Sequence, residues 1–203
     1  LTTFSKSLYT LDDGTILTKT QKELFEAFQK FQKIVVSAPT SFGKSKIIEE
    51  IIKYNDYKTI LIILPTLALS NEFYMRFRNI PEIYDNFSII KSTNTSDISE
   101  NNIFILTPEK ALLLLDENPE FIIDFFVMDE IYKIDHEDGR KKVFSSCLYE
   151  LTRNRDVKSF YLLGPYFKRF SQNFLDKTGA KFLSFHSEIV QKDDFKPKLF
   201  ENR

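Results

Sequence analysis

Short, near-continuous apolar runs recur along the chain, at Lys33–Ser37, Lys58–Leu64, Phe87–Ser92, Ile103–Thr107, Phe125–Asp129, Ser159–Leu163 and Lys181–Phe185. Most are followed by a segment with helical spacing. A run such as Ile60-Leu61-Ile62-Ile63-Leu64 has no polar face, which is what a parallel strand covered on both sides requires. Between the runs, Thr20–Phe31 places Leu24, Phe25, Phe28 and Phe31 on one helical face, with Thr20 as the expected N-cap. Gly139–Arg153 does the same with Val143, Cys147, Leu148 and Leu151. The alternation predicts an α/β fold: a three-layer sandwich around a mostly parallel central sheet of about seven strands. The polar stretches Ser92–Asn102 and Asp135–Lys142 read as surface loops, and no internal repeat or low-complexity linker interrupts the pattern.

Composition narrows the class. With 203 residues and 42% hydrophobic positions, the chain can bury a core without disulfides or a structural metal. The single cysteine, Cys147, forms no internal disulfide and reads as a small buried apolar residue in a reducing, intracellular setting. With only two histidines beside it, His136 and His186, there is no zinc cage to build. No apolar run approaches the ~18–20 residues that span a bilayer, and no signal peptide opens the chain, so a membrane role is not expected. The 28 Lys and Arg against 29 Asp and Glu exclude a strongly basic module that grips nucleic acid by charge alone. The 21 Phe are read as core. The missing initiator Met and the charged end Phe200-Glu201-Asn202-Arg203 suggest a piece of something longer.

Two segments carry chemistry. Directly after the first run stands Ala38-Pro39-Thr40-Ser41-Phe42-Gly43-Lys44-Ser45, followed by a helical stretch. This is Walker A spacing with Ala38 in the first glycine position. A tight loop that turns its backbone N–H groups inward and ends at a helix N-terminus cradles phosphates. Gly43 permits the close approach, Lys44 reaches the β- and γ-phosphates, and the Ser45 hydroxyl suits Mg²⁺. Pro39, Thr40, Ser41 and Phe42 complete the nucleotide-binding loop. Downstream, Phe125–Met128 delivers Asp129 and Glu130 at a strand's C-terminal end, a Walker B pattern. There Asp129 is expected to join Ser45 in holding Mg²⁺, and Glu130 to orient or deprotonate the attacking water; Lys44, Asp129 and Glu130 form the catalytic set.

With these motifs in order, the chain resembles the N-terminal RecA-like lobe of superfamily 2 DExD/H-box helicases, in a DExH-like form. Ala38–Ser45 resembles motif I and Asp129-Glu130-Ile131-Tyr132 motif II. Pro65–Glu72 resembles motif Ia and Thr107–Lys110 motif Ib. The resemblance implies that Gln21 contacts adenine, and that Pro65, Thr66, Thr107, Pro108 and Glu109 touch the sugar-phosphate backbone of DNA or RNA. Phe4 and Tyr9 are aromatics upstream of the glutamine, where the family commonly stacks on adenine. Two departures stand out. Tyr132 takes the usual fourth position of motif II, and Gly164-Pro165-Tyr166 stands where the family carries Ser-Ala-Thr as motif III. Tyr132 packing on that turn is one possible substitute contact.

The expected organisation is a lead-in over 1–19, the ATP-binding lobe over 20–186, and the start of an interlobe connection over 187–203, with the second lobe absent. The reading is the ATP-binding lobe of a nucleic-acid-dependent ATPase, with ATP and Mg²⁺ as cofactors. DNA or RNA and a second RecA-like lobe are the expected partners. The oligomeric state is open, and the setting is cytoplasmic and, from the Ile-, Lys-, Asn- and Phe-rich composition, bacterial. The rival is a nucleotide-sensing or scaffold lobe uncoupled from translocation. A P-loop enzyme acting on a small substrate would account for the first two motifs but not for Gln21 or the ordered Ia and Ib segments.

Overall fold

The computed structural model describes residues 9–39, 42–96, 98–134, 141–165 and 167–185. Seven strands, β1 (Lys33–Ser37), β2 (Thr59–Ile63), β3 (Ser88–Ile90), β4 (Asn102–Leu106), β5 (Phe125–Met128), β6 (Ser159–Gly164) and β7 (Lys181–Ser184), form one sheet in the order β3-β4-β2-β5-β6-β1-β7. Every pairing is parallel. All seven C-terminal ends therefore lie along one edge, and every loop with chemical content leaves from that edge.

Strand periodicity divides the core into two. One face presents Ile34, Val36, Ile60, Ile62, Phe125, Val127 and Tyr161 to α1 (Lys19–Phe31), α2 (Lys44–Lys53), α3 (Leu67–Arg78) and the one-turn α4 (Pro81–Tyr84). The other presents Val35, Leu61, Ile63, Phe126, Met128, Phe160 and Leu162 to α5 (Pro108–Glu117), α6 (Lys141–Tyr149) and α7 (Gln172–Thr178). This is the three-layer sandwich expected from runs that lack a polar face. Each fully buried aliphatic or Phe side chain contributes on the order of 1.5–3 kcal/mol. Cys147 is one of these buried residues, and burial pushes its thiol well above the ordinary value, as suits an inert apolar position. No helix among the described residues is long and apolar enough to cross a membrane.

Several boundaries differ from the sequence expectation. The N-cap of α1 is Thr18, not Thr20: Thr18 is extended and its hydroxyl accepts the Gln21 amide, while Gln21 Oε1 accepts the Thr18 amide, closing a capping box. Phe31 is 38% exposed at the end of α1, covered by the ammonium groups of Lys30 and Lys181 instead of by core. Phe144, not Val143, enters the core from α6, and the helix widens into a π turn over Glu150–Asn154, where the Thr152 hydroxyl donates to the Leu148 carbonyl. The second polar loop lies outside the described residues between 135 and 140. The first ends at Asn101, because Asn102 is a buried strand residue whose side chain pairs with the backbone of Ser99.

At the opposite edge of the sheet, the Tyr57 hydroxyl donates to Gln32 Oε1 at 3.0 Å and shares a 2.7 Å hydrogen bond with Ser159 Oγ, while its ring stacks on Phe125. Burial raises this phenol to about 12. A phenol whose folded pKa lies above its unfolded value stabilises the fold below pH ~10 and loses that contribution as the pH climbs through 12. Tyr57→Phe is expected to lower unfolding free energy by about 1 kcal/mol in urea titrations at neutral pH. It is also expected to flatten the stability loss between pH 10 and 12 that the wild type shows.

Candidate functional site

The phosphate loop is rooted where β1 meets its two neighbours. The Ser37 hydroxyl accepts the Phe167 amide, the Ser37 carbonyl accepts the Phe185 amide, and the Ala38 amide donates to the Gly164 carbonyl. Past Pro39, residues 40 and 41 lie outside the described residues, so the expected roles of Thr40 and Ser41 do as well. The loop resumes at Phe42, whose amide returns to the Pro39 carbonyl and whose ring stacks on Phe185 with centroids 5.3 Å apart. Gly43 then caps α2 at φ +78°, a left-handed conformation that favours glycine.

Gln21 closes this loop from the other side. Its Nε2 donates to the Phe42 carbonyl at 3.0 Å, and a Cβ on Gly43 would lie 2.4 Å from that same nitrogen. The left-handed φ favours glycine here, and a side chain would also have to displace the Gln21 amide. With Oε1 committed to the capping box and one N–H to Phe42, each end of the Gln21 amide keeps one further hydrogen-bonding position. That leaves it able to meet an adenine edge while it fixes the loop.

Lys44 is the first residue of α2, and its mostly buried ammonium lies 3.7 Å from Asp129 Oδ1. Asp129 extends β5: its amide donates to the Ile63 carbonyl, and its Oδ1 accepts the Glu130 amide at 2.8 Å. Burial raises the Asp129 carboxyl above the usual carboxylate range, with Lys44 and the Glu130 amide pulling the other way. Glu130 adopts a left-handed conformation at φ +56°, turning the chain off the strand directly after the acid pair. Ser45 follows Lys44 on α2 and is half-buried. The folded chain thus brings Gln21, Phe42, Gly43, Lys44, Asp129 and Glu130 together around one loop and one strand tip.

The second group sits further along the same edge. Ile63 pairs with Leu106, and the Leu64 amide continues the ladder to the Leu106 carbonyl, so the segments after β2 and β4 leave side by side. Thr66 caps α3 through its hydroxyl; Thr107 caps α5 without such a bond. Pro65 and Pro108 are buried, whereas Thr66 and Glu109 are exposed. Thr107 lines a recess of about 180 Å³ together with Asn71, Lys91 and Lys110. Lys91 escaped the sequence reading; the signal was a cation immediately after a short edge strand. The larger recesses, about 800 Å³ beside α7 and β7 and about 660 Å³ at the opposite sheet edge, hold none of these side chains.

Both departures from the motif pattern lie against the same apolar core. A Cβ on Gly164 would lie 2.8 Å from Phe167 Cε1 and 3.3 Å from Ile131 Cγ2, so no side chain fits there. The segment after β5 and the end of β6 meet through Ile131. Tyr132 is half-buried against the same core, and the Tyr166 part of its anticipated contact lies outside the described residues, as does Phe4. Tyr9 is half-buried, with its carbonyl accepting the Leu17 amide.

A glycine-gated loop at a helix N-terminus, a lysine paired with a strand-tip acid, and an all-parallel sheet with these loops on its C-terminal edge define a RecA-like P-loop lobe. The family model for DEAD/DEAH box helicase matches residues 18–163, and the chain belongs to that family. Membership implies the use of ATP. Anti-bacteriophage protein B of Escherichia coli (strain K12) is 30% identical over 165 residues, covering 76% of this chain and 22% of that protein. ATP-dependent DNA helicase Hel308 of Thermoplasma volcanium is 33% identical over 125 residues, covering 58% of this chain and 18% of that protein. The chain thus spans about a fifth of the length of these curated relatives. The UvsW helicase from Bacteriophage T4 shares the fold with a TM-score of 0.60 at 17% identity, over 87% of this chain and 63% of that one. The Pyrococcus furiosus Hef helicase domain does so with a TM-score of 0.57 at 17% identity, over 83% and 38%.

The glycine and the glutamine are predicted to be coupled. Gly43→Ala should destabilise the lobe by about 1–2 kcal/mol through left-handed strain and the displaced amide. Adding Gln21→Ala should recover part of that loss, with an interaction energy of at least ~0.5 kcal/mol in a urea double-mutant cycle.

Proposed function

We propose that the chain is the ATP-binding lobe of a DNA-dependent ATPase, hydrolysing Mg-ATP to move along or unwind DNA when joined to a second RecA-like lobe. The observation that carries this reading is the Lys44–Asp129 pair, a cation 3.7 Å from a strand-tip acid, beside a loop that ends in the left-handed Gly43. In this reading residues 1–19 are a lead-in, 20–186 the lobe, and 187–203 the start of the connection to its partner.

The residues present fit the nucleotide and its metal. Gly43 opens α2 in a left-handed conformation with only the Gln21 amide against it, and Ser45 with Asp129 offers the hard oxygen donors that suit Mg²⁺. Bound there, Mg²⁺ supplies charge neutralisation across the phosphate oxygens. Lys44 and the first amides of α2 face the same anion, the lysine through charge-assisted hydrogen bonds and the amides through the positive end of the helix. Gln21 holds the loop through Phe42 and offers its remaining donor and acceptor to adenine. Glu130, turned off the strand by its left-handed backbone, orients or deprotonates the attacking water. Thr66, Thr107 and Glu109, with the backbone at Pro65 and Pro108, form the surface for the nucleic-acid backbone, where hydroxyls and helix N-termini bind phosphate without reading base identity.

Likeness to a DNA helicase at 33% identity favours DNA over RNA, and likeness to Anti-bacteriophage protein B favours a role in defence against phage inside a bacterial cell. Arginine fingers are worth roughly 10³–10⁵ in rate and are assigned here to the second lobe, so the 203-residue chain alone should bind ATP and turn it over slowly. In the full-length protein, Glu130→Gln should cut single-strand-stimulated ATPase at least ~100-fold while ATP affinity stays within a few fold. Lys44→Ala should weaken ATP binding itself by at least ~10-fold. ATPase that persists in Glu130→Gln would overturn the assignment, and a nucleotide sensor would show ATP binding with no response to single strands.

A further inference from the structure

A line of cations and aromatics leaves the Thr107 recess and runs down the β3 edge of the lobe, along α3. Asn71, Tyr74 and Arg78 recur at helical spacing on one face of α3. The Lys91 ammonium donates to Asn71 Oδ1 at 2.9 Å and lies 4.3 Å from the centre of the Tyr74 ring. Lys110 donates to the Lys91 carbonyl at 3.4 Å, joining the line to the recess. At the other end, the Arg78 guanidinium lies 5.5 Å from the Tyr74 ring and 5.8 Å from the Tyr84 ring. Tyr84 is 51% exposed on the one-turn α4.

Fold stability does not account for this arrangement. Arg78 is fully exposed, and exposed cation–π contacts are weak. What the line does offer is three cations, the exposed Tyr84 ring and the half-buried Tyr74 ring, with no carboxylate among its six side chains, on a chain whose net charge is only −1. That combination suits a flexible polyanion whose units carry flat π-systems, because cations track the backbone and rings accept unstacked bases of any sequence. Glu82 and Asp85 flank Tyr84 on its short helix, so its share is base stacking, and phosphate attraction falls to Lys110, Lys91 and Arg78. From Asn71 to Arg78 the helix rises about 10 Å. At a stacked spacing of about 3.4 Å, this is room for two or three nucleotides.

We infer that the Lys91–Tyr74–Arg78–Tyr84 line is a second single-strand contact surface, which carries a nucleic-acid strand two or three nucleotides beyond the Thr107 recess. This rests on the proposed function, since it presumes that a strand enters that recess. The test measures binding of oligo-dT of 6 and 20 nucleotides to the full-length protein by fluorescence anisotropy, with Thr107→Ala, Arg78→Ala and Tyr84→Ala. Thr107→Ala should weaken both oligonucleotides. Tyr84→Ala and Arg78→Ala should weaken the 20-mer at least 5-fold and leave the 6-mer within 2-fold. Arg78→Ala should also lower the salt slope of 20-mer binding by about one, an effect that loss of fold would not produce. Thermal unfolding of each variant within 2 °C of wild type keeps the comparison valid, and Arg78→Lys and Tyr84→Phe, which keep charge and ring, should restore binding. If the wild type binds and Thr107→Ala weakens both lengths while Arg78 and Tyr84 change neither, the line is not a strand surface. If the wild type binds neither oligonucleotide, the proposed function itself fails.

Discussion

β1 is paired on both sides, with β6 and with β7, and the placement of the phosphate loop follows from that double pairing. Ser37 and Ala38 spend their polar groups on Phe167, Phe185 and Gly164, so the loop leaves the sheet from a fixed root. The same closeness leaves little room at Gly164. Gly164 lies under Phe167 and against Ile131, and a serine there would have to displace one of them. In this chain the segment carrying Asp129 and Glu130 meets the end of β6 through an apolar contact, Ile131 against Gly164, where the family pattern places a polar side chain. Apolar packing transmits displacement by steric contact and does not depend on a particular hydrogen bond forming.

The helix that begins at Lys44 is held at its far end by charge. Glu50 is fully buried, with the Lys46 and Lys53 ammonium groups 2.7 and 3.1 Å from its Oε1. Glu49 pairs with Lys46 and Arg76, tying α2 to α3, while Lys53 reaches Asp13 at 3.1 Å and ties α2 to the lead-in. Burial alone would raise the Asp13 carboxyl; the Thr15 amide and hydroxyl, with Lys53, hold it well below the usual range. Such networks add little net stability over apolar packing, but removing one partner from a buried pair costs about 3–5 kcal/mol. Their effect is directional: α2 has one register against its neighbours, and Lys44 inherits it.

Much of this was legible in the sequence because strand and phosphate-loop signals are local. Short, near-continuous apolar runs marked the seven strands, and Gly43-Lys44-Ser45 and Asp129-Glu130 followed strand ends, where chemistry is placed in such sheets. What was not legible depended on contacts between distant segments. Thr18 and Thr20 are equally good N-caps on paper; the decision came from Gln21, whose side chain serves the cap and Phe42 together. Phe31 reads as a core residue by spacing, yet it falls where the chain turns through the left-handed Gln32, off the buried face. Gly164 looked like a lost motif until Phe167, a neighbour in sequence, proved to fold back over it. Lys91 carries only the weak signal of a cation after a short strand, and its place becomes clear because β3 lies beside β4 and α3 turns Asn71 and Tyr74 toward it.

The two ends of the working edge are built with different stiffness. The loop before α2 is fastened by backbone bonds at its root, by the Gln21 amide at Phe42 and by the Phe42–Phe185 stack. Around the Thr107 recess and down α3, contacts are long cationic side chains over the half-buried Tyr74 ring and the exposed Tyr84 ring, each weak. A loop that must place a lysine against developing phosphate charge gains from being fixed in advance, because reorganisation at the reacting centre adds directly to the barrier. A surface that must release and regrip a strand of any sequence gains from weak, adaptable contacts, because tight preorganised binding would slow release. Under the proposed function, the stiffness difference is therefore what one lobe needs in order to hold nucleotide firmly while letting nucleic acid move.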